Sequence, residues 1–240
     1  MDWIVGALCA LIVSGAAYWK SSLSLSGMLA AFALGTVYYG AGNLFWFGIL
    51  LLFFVSSSAL SRFRGDRKEE LEKSYAKSGR RDAGQVLANG GLGMLACLGN
   101  LIWPDPGWGY FFAGTMAAVT ADTWATELGG LSRTEPRSIL TGRRVPPGTS
   151  GGVTLLGSAA ALAGGAVIGG AAWLLLIWTG EAAYPDAGGA VLSLIKWALL
   201  AGISGLAGAF ADSLLGATLQ GMQRCTVCGK EVEVAAHCGR

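Results

Sequence analysis

The chain has 240 residues, 53% of them hydrophobic and only 13% charged, with 38 glycines. A soluble domain carries about twice that share of charge, and several runs here approach the ~20 apolar residues that cross a bilayer core, so a soluble globular fold is excluded. The net charge of +2 is uninformative by itself and gives no reason to expect a nucleic-acid partner, but its distribution along the chain is informative.

The expected fold is all-α: a polytopic transmembrane helical bundle of about seven spans with a small Cys/His tail. The spans read as 2–19, 25–41, 43–61, 84–103, 109–130, 152–178 and 191–221. Four further spans ahead of the 131–149 loop, and no small-residue cleavage pattern, argue against the first being a removable signal peptide. Residues 1–61 hold no buried ionisable side chain and read as a scaffold. Residues 62–83 form a charged connector, helical from Asp66 to Lys77 through the pair Glu69 and Lys73. The core is 84–221, and 222–240 is the tail. The last span is too long for an untilted crossing, so it either breaks or projects into water.

Basic residues set the orientation. The 62–82 loop carries Arg62, Arg64, Arg67, Lys68, Lys73, Lys77, Arg80 and Arg81, the 131–149 loop carries Arg133, Arg137, Arg143 and Arg144, and the tail carries Arg224, Lys230 and Arg240. With seven spans these fall on one side, together with Lys20. The opposite connections, Pro104–Trp108 and Glu181–Gly189, hold none, and only Lys196 departs from the pattern. The basic side is expected to be cytosolic, with the N-terminus outside. The membrane expected is a bacterial inner membrane.

Polar residues inside spans are the candidates for chemistry. Arg81, Gln85 and Asn89 are four apart and form one stripe from the basic mouth inward. That stripe reads either as helix-to-helix hydrogen bonding or as a cavity wall with Arg81 on a phosphate. Asp122 and Glu127 share the fifth span, five residues apart, so they diverge by roughly 140° around the axis. Thr126 lies on the face of Asp122. Glu127 is also consistent with a solvated carboxylate at the helix end, whereas Asp122 lies deeper, where an ionisable group signals function. The stretch Pro146–Gly152 then runs into the sixth span. Gly148 and Gly151 let backbone N–H groups approach an anion, Thr149 and Ser150 add hydroxyls, and Arg143 and Arg144 stand just upstream. A plain turn with a helix cap is the alternative. Asp212 and Ser213 lie on the last span, with Gly205, Gly208 and Gly216 on the face of Asp212. Asp122, Glu127 and Asp212 together would supply carboxylates for Mg²⁺.

Cys9 and Cys97 lie in spans as small apolar groups. The tail places Cys225 and Cys228 ahead of His237 and Cys238, a set compatible with structural Zn²⁺ or with unliganded thiols.

The strings GRRDAGQVLANGG, ADTWATELGGLS, PRSILTGRRVPPGTSGGVTLLG, GAFADSLLGATLQ and CTVCGKEVEVAAHCG stand in one order along residues 79–239. In order and spacing they resemble the integral membrane family containing transmembrane protein 19 and phytyl-phosphate kinase of the vitamin E pathway. The first 60 residues resemble it in hydropathy alone. The family's members continue beyond the CxxC segment into another membrane helix with an Asn-Asp pair, whereas this sequence stops at Arg240. The resemblance implies a kinase converting an isoprenyl monophosphate, such as phytyl phosphate, to its diphosphate. The donor would be a nucleoside triphosphate, CTP among the candidates. The positions carried over are Gln85, Asn89, Asp122, Thr126, Glu127, Gly148, Thr149, Ser150, Gly151, Asp212 and Ser213. The expected partners are the prenyl-phosphate lipid and the membrane lipids. Two other readings use the same groups: a lipid-phosphate nucleotidyltransferase, and a transporter of a phosphorylated or ionic solute. A transporter predicts an inverted repeat, and none is visible.

Overall fold

Hydrocarbon offers a backbone no hydrogen-bond partner, so each apolar run satisfies its own N–H and C=O groups as a helix. The computed structural model describes residues 1–63, 80–180, 189–221 and, in the tail, 223–224, 227 and 231–232. Among these are seven long helices: α1 (Asp2–Trp19), α2 (Leu25–Val37), α3 (Leu44–Arg62), α4 (Ala83–Ile102), α5 (Pro106–Gly129), α6 (Leu155–Thr179) and α7 (Ala190–Leu219). A π-helical turn, Tyr38–Gly42, extends α2. With that turn included, six of the helices are long and apolar enough to cross a membrane unaided; α5 is the exception. The expected spans agree with these bounds to within three residues. The protein is an integral membrane helical bundle.

Polar residues punctuate the helices. Ser24, Asn43, Asp105 and Thr154 each accept a hydrogen bond from a first-turn backbone N–H of α2, α3, α5 and α6. Such caps satisfy donors that the helix itself leaves open. Helix α7 runs unbroken for 30 residues, about 45 Å at 1.5 Å per residue. Of the two outcomes expected for this span, a break is thus corrected: its small residues still complete every turn, and the excess length is taken up by projection or tilt.

Two kinds of packing hold the bundle. Near the middle of the first half, Tyr38, Phe45 and Trp46 surround Phe112 of α5. The ring centroids of Trp46 and Phe112 are 4.6 Å apart, and those of Phe45 and Phe112 are 5.6 Å apart at a steep angle. Tyr38 is fully buried, and its hydroxyl donates to the Gly90 carbonyl at 2.8 Å. In the second half, α5, α6 and α7 instead approach backbone to backbone. A Cβ on Gly165 would stand 2.5 Å from the Ala201 carbonyl oxygen, and one on Gly205 2.9 Å from that of Ala117. Small residues at such crossings are how membrane helices gain contact without a hydrophobic driving force.

One end of the bundle is stitched together by polar contacts. The Arg81 backbone donates to the Ser22 carbonyl and accepts from Ser24 N–H, both at 3.0 Å. Arg62 donates to the Lys20 carbonyl and to Ser22 Oγ, and Arg80 donates to Ser21 Oγ at 2.8 Å. At the same end, β1 (Arg137–Ser138) pairs antiparallel with β2 (Gly152–Val153) and closes the loop between α5 and α6. In the tail, β3 (Gln223–Arg224) pairs antiparallel with β4 (Glu231–Val232). The expected Asp66–Lys77 helix and the proposed ligands Cys225, Cys228, His237 and Cys238 lie outside the described residues.

Candidate functional site

The C-terminal ends of α5 and α7, the N-terminal end of α6 and the loop before it enclose a polar cavity of about 630 Å³. That size lies within the range of small-molecule sites. Asp122 and Thr126 face it from α5, Asp212 and Ser213 from α7, and Gly148, Thr149, Ser150 and Gly151 from the loop. Residues spread over 92 positions of sequence therefore share one wall-to-wall space. Asp122 and Asp212 are close enough for their like charges to repel. Among the described residues no hydrogen bond or ion pair engages either carboxylate. Two acids lining one space could supply carboxylate oxygens to a hard divalent ion, whose shell water or phosphate oxygens would have to complete.

The loop is held by its own backbone. Thr149 N–H donates to Pro146 and Gly152 N–H to Thr149. The N–H groups of Gly148, Ser150 and Gly151 have no carbonyl partner among the described residues. Gly148 and Gly151 sit at φ of +85° and +73°, where a side chain would be strained. Gly151 also packs directly against Ala217 and Ser213 of α7, leaving no room for a Cβ. This docking fixes the loop over the acids. Ser150 Oγ donates to Gln220 Oε1 at 2.6 Å, tying the loop to the end of α7.

The remaining candidates stand elsewhere. Gln85 accepts from Asp82 N–H at 3.0 Å while Asp82 accepts from Gln85 N–H at 2.8 Å, a capping box that starts α4. The expected polar wall at Gln85 is thereby corrected: the residue lines neither cavity, and its Oε1 caps the helix end. Asn89 and Arg81 line a second, apolar cavity among α1–α4. Burial lowers the pKa of the Arg81 guanidinium, while the nearby Glu127 charge pulls it up. Glu127 accepts from Ser61 Oγ of α3 and does not line the polar cavity. Of the three carboxylates expected to share one site, the cavity gathers Asp122 and Asp212 but not Glu127, which the five-residue spacing turns toward Ser61. No group of three acids, cysteines or histidines gathers among the described residues. Arg143 and Arg144 are exposed on the loop outside the cavity, Arg144 paired with Glu135 at 3.7 Å.

Ser132, Thr154, Ser158 and Gln220 also line the cavity, and sequence reading did not single them out. Gln220 has no local signature, since its contact is 70 residues away. Gln85 did have one: Asp-x-x-Gln before an apolar run is a capping-box pattern.

A family model described as integral membrane protein DUF92 matches residues 8–239. The chain is similar to Protein PGR of Arabidopsis thaliana, 32% identical over 255 residues, which cover 95% of this chain and 83% of that one. It is also similar to an uncharacterised membrane protein of Methanocaldococcus jannaschii, 33% identical over 175 residues, 72% of this chain and 64% of that one. These relatives come from a plant and an archaeon, so they assign no particular cell membrane. No solved structure matches. The match runs through both halves of the bundle and all five motifs, and the chain belongs to the integral membrane protein DUF92 family, which includes proteins like phytyl-phosphate kinase and transmembrane protein 19.

Proposed function

We propose that the protein is a membrane-embedded kinase that transfers a phosphoryl group from a nucleoside triphosphate, CTP among the candidates, to a prenyl monophosphate such as phytyl phosphate. One observation carries the reading: Asp122 and Asp212 face each other across a polar cavity covered by a glycine turn with open N–H groups. In the transfer an oxygen of the acceptor phosphate attacks the γ-phosphorus. The bond from that phosphorus to the β,γ-bridging oxygen breaks, and the nucleoside diphosphate leaves. The acceptor is already ionised, so little base catalysis is needed and positioning carries most of the rate.

Asp122 and Asp212 are the residues that would hold Mg²⁺. When bound, the ion supplies positive charge to phosphate oxygens as charge redistributes. The Thr149 hydroxyl and the N–H groups of Gly148, Ser150 and Gly151 bind and orient phosphate oxygens as donors, while the Ser150 hydroxyl, donating to Gln220, holds the loop in place. Thr126 and Ser213, one on each acid-bearing helix, add hydroxyls to the same space. The lipid acceptor keeps its apolar tail in the bilayer, and the nucleotide arrives from water. Lys20, Arg62, Arg80, Arg133, Arg137 and Arg143 gather at the cavity's end of the bundle, which supports a cytosolic mouth.

The test is purified protein in lipid nanodiscs with γ-labelled nucleoside triphosphates and prenyl monophosphates of several lengths, resolved by chromatography. Labelled prenyl diphosphate is the expected product. Incorporation of α-label with pyrophosphate release would replace the kinase with a nucleotidyltransferase. No product from any pair would reject both.

A further inference from the structure

The second cavity is a narrow slot of about 60 Å³ among α1–α4, and none of its lining residues also lines the polar cavity. Its walls are aliphatic and aromatic, with Val13, Leu34, Leu50 and Phe54 from three helices. The single charged lining residue is Arg81. Its Nη1 is buried and has no hydrogen-bond partner among the described residues. The guanidinium carbon stands 5.9 Å from the centroid of the Phe53 ring, and the Arg81 backbone is pinned to Ser22 and Ser24. The half-buried side chain thus lies against the aromatic wall of the slot with its Nη1 edge turned inward.

The Glu127 charge is near the guanidinium, yet the buried Nη1 edge is left without an acceptor among the described residues, and an unmet buried donor is unfavourable. The acceptor that suits it carries negative oxygens on a planar-fork match, which a phosphate provides. The space beside it, about 60 Å³, is too small for a nucleotide, and its apolar walls suit a few methylenes of a hydrocarbon chain. Arg62 and Arg80, bonded to the same turn at 20–22, add positive charge next to Arg81. Basic residues grouped at one membrane surface attract anionic lipid headgroups.

We propose that this slot is a lipid site: it takes the upper methylenes of one acyl chain of an anionic phospholipid from the surrounding leaflet, with Arg81 holding the headgroup phosphate. The site is separate from the acids, so its occupant is a resident lipid and not the phosphoryl acceptor. The proposal stands without the kinase reading.

The test uses the full chain in nanodiscs with phosphatidylglycerol carrying a photoreactive diazirine in one acyl chain, and the same probe as phosphatidylcholine. Cross-linked peptides are mapped by mass spectrometry. Cross-links on α1–α4 slot residues are expected, at least fivefold stronger for phosphatidylglycerol than for phosphatidylcholine. Arg81→Gln should remove that preference. Ala31→Phe, which fills the slot and keeps Arg81, should remove the cross-links themselves, so the proposal remains testable if Arg81→Gln fails to fold. Equal labelling by the two probes, unchanged labelling in folded Arg81→Gln or Ala31→Phe, or labelling confined to the outer faces of the helices would overturn the proposal. Displacement of the probe by a prenyl monophosphate but not by unlabelled phosphatidylglycerol would assign the slot to the acceptor and overturn it equally.

Discussion

The two halves of the bundle fill their centres with different materials. In the first half, α2, the π-helical turn and α3 bury large rings and branched chains, with Tyr38, Phe45, Trp46, Leu34 and Ile49 almost wholly shielded, while α1 and α4 pack small residues against them. Helices α5–α7 bury mostly alanine and glycine and touch backbone to backbone. Large side chains fill space, which leaves the first half with only a narrow slot. Small ones bring the α5–α7 helices together, α5 and α6 still touching at Gly129 and Gly157 at the basic end, and leave a gap between those two helices, α7 and the loop before α6. The polar cavity is that gap, with Asp122 and Asp212 in its walls. Close packing of small residues thus stands directly beside an open space lined by polar groups in the same helices.

The largest effect that separates the halves is on stability. Trp46→Ala removes a fully packed ring next to Phe112 and should cost about 3–5 kcal/mol, the range for large aromatic truncations in cores. Unfolding in detergent monitors it. Per folded molecule, turnover should change little, since Trp46 is remote from the cavity's lining. A large loss of turnover in folded Trp46→Ala would break the division between scaffold and site.

Gly205→Leu tests the other half. A Cβ there already meets Ala117 and Ala121 of α5, so the added side chain should cost about 1–3 kcal/mol by overpacking. Unlike Trp46→Ala, it should also lower turnover, because α5 and α7 carry one acid each. An unaltered rate in folded Gly205→Leu would mean that the close crossing does not position the acids.

A smaller effect sharpens the role of the loop. Ser150→Ala removes the bond to Gln220 and should weaken nucleotide binding by about 1 kcal/mol, the usual worth of one such bond, seen as a several-fold rise in KM with kcat nearly kept. The smallest concerns Asp82→Ala, which opens the capping box and should cost about 1 kcal/mol of stability. Turnover insensitive to Asp82→Ala would agree with Gln85 being a cap and not a wall.

Much of the fold was legible because lipid makes it local: length and apolarity alone define a span. The face shared by Gly205, Gly208, Asp212 and Gly216 was legible for the same reason, since helical periodicity is a property of neighbours in sequence. The divergence of Asp122 and Glu127 was also readable, but its consequence was not. Which helix receives Glu127 depends on Ser61, 66 residues away. The tie between Ser150 and Gln220, and the slot beside Arg81, are likewise products of tertiary contact. The π-helical turn at Tyr38–Gly42 left no periodic trace, because one extra residue in a turn barely shifts an all-apolar pattern.

The central claim is that the cavity acids, and not intramembrane acids in general, carry phosphoryl transfer. The direct measurement is prenyl diphosphate formation by Asp122→Asn, Asp212→Asn and Glu127→Gln, each shown to be folded by its elution and thermal unfolding. Each substitution removes charge and nearly keeps volume. The account predicts a loss on the order of 100-fold or more for either aspartate variant, the scale of losing a metal or transition-state contact. For Glu127→Gln it predicts a change of no more than a few-fold. Near-normal turnover in both aspartate variants, or an equal loss in Glu127→Gln, would contradict it.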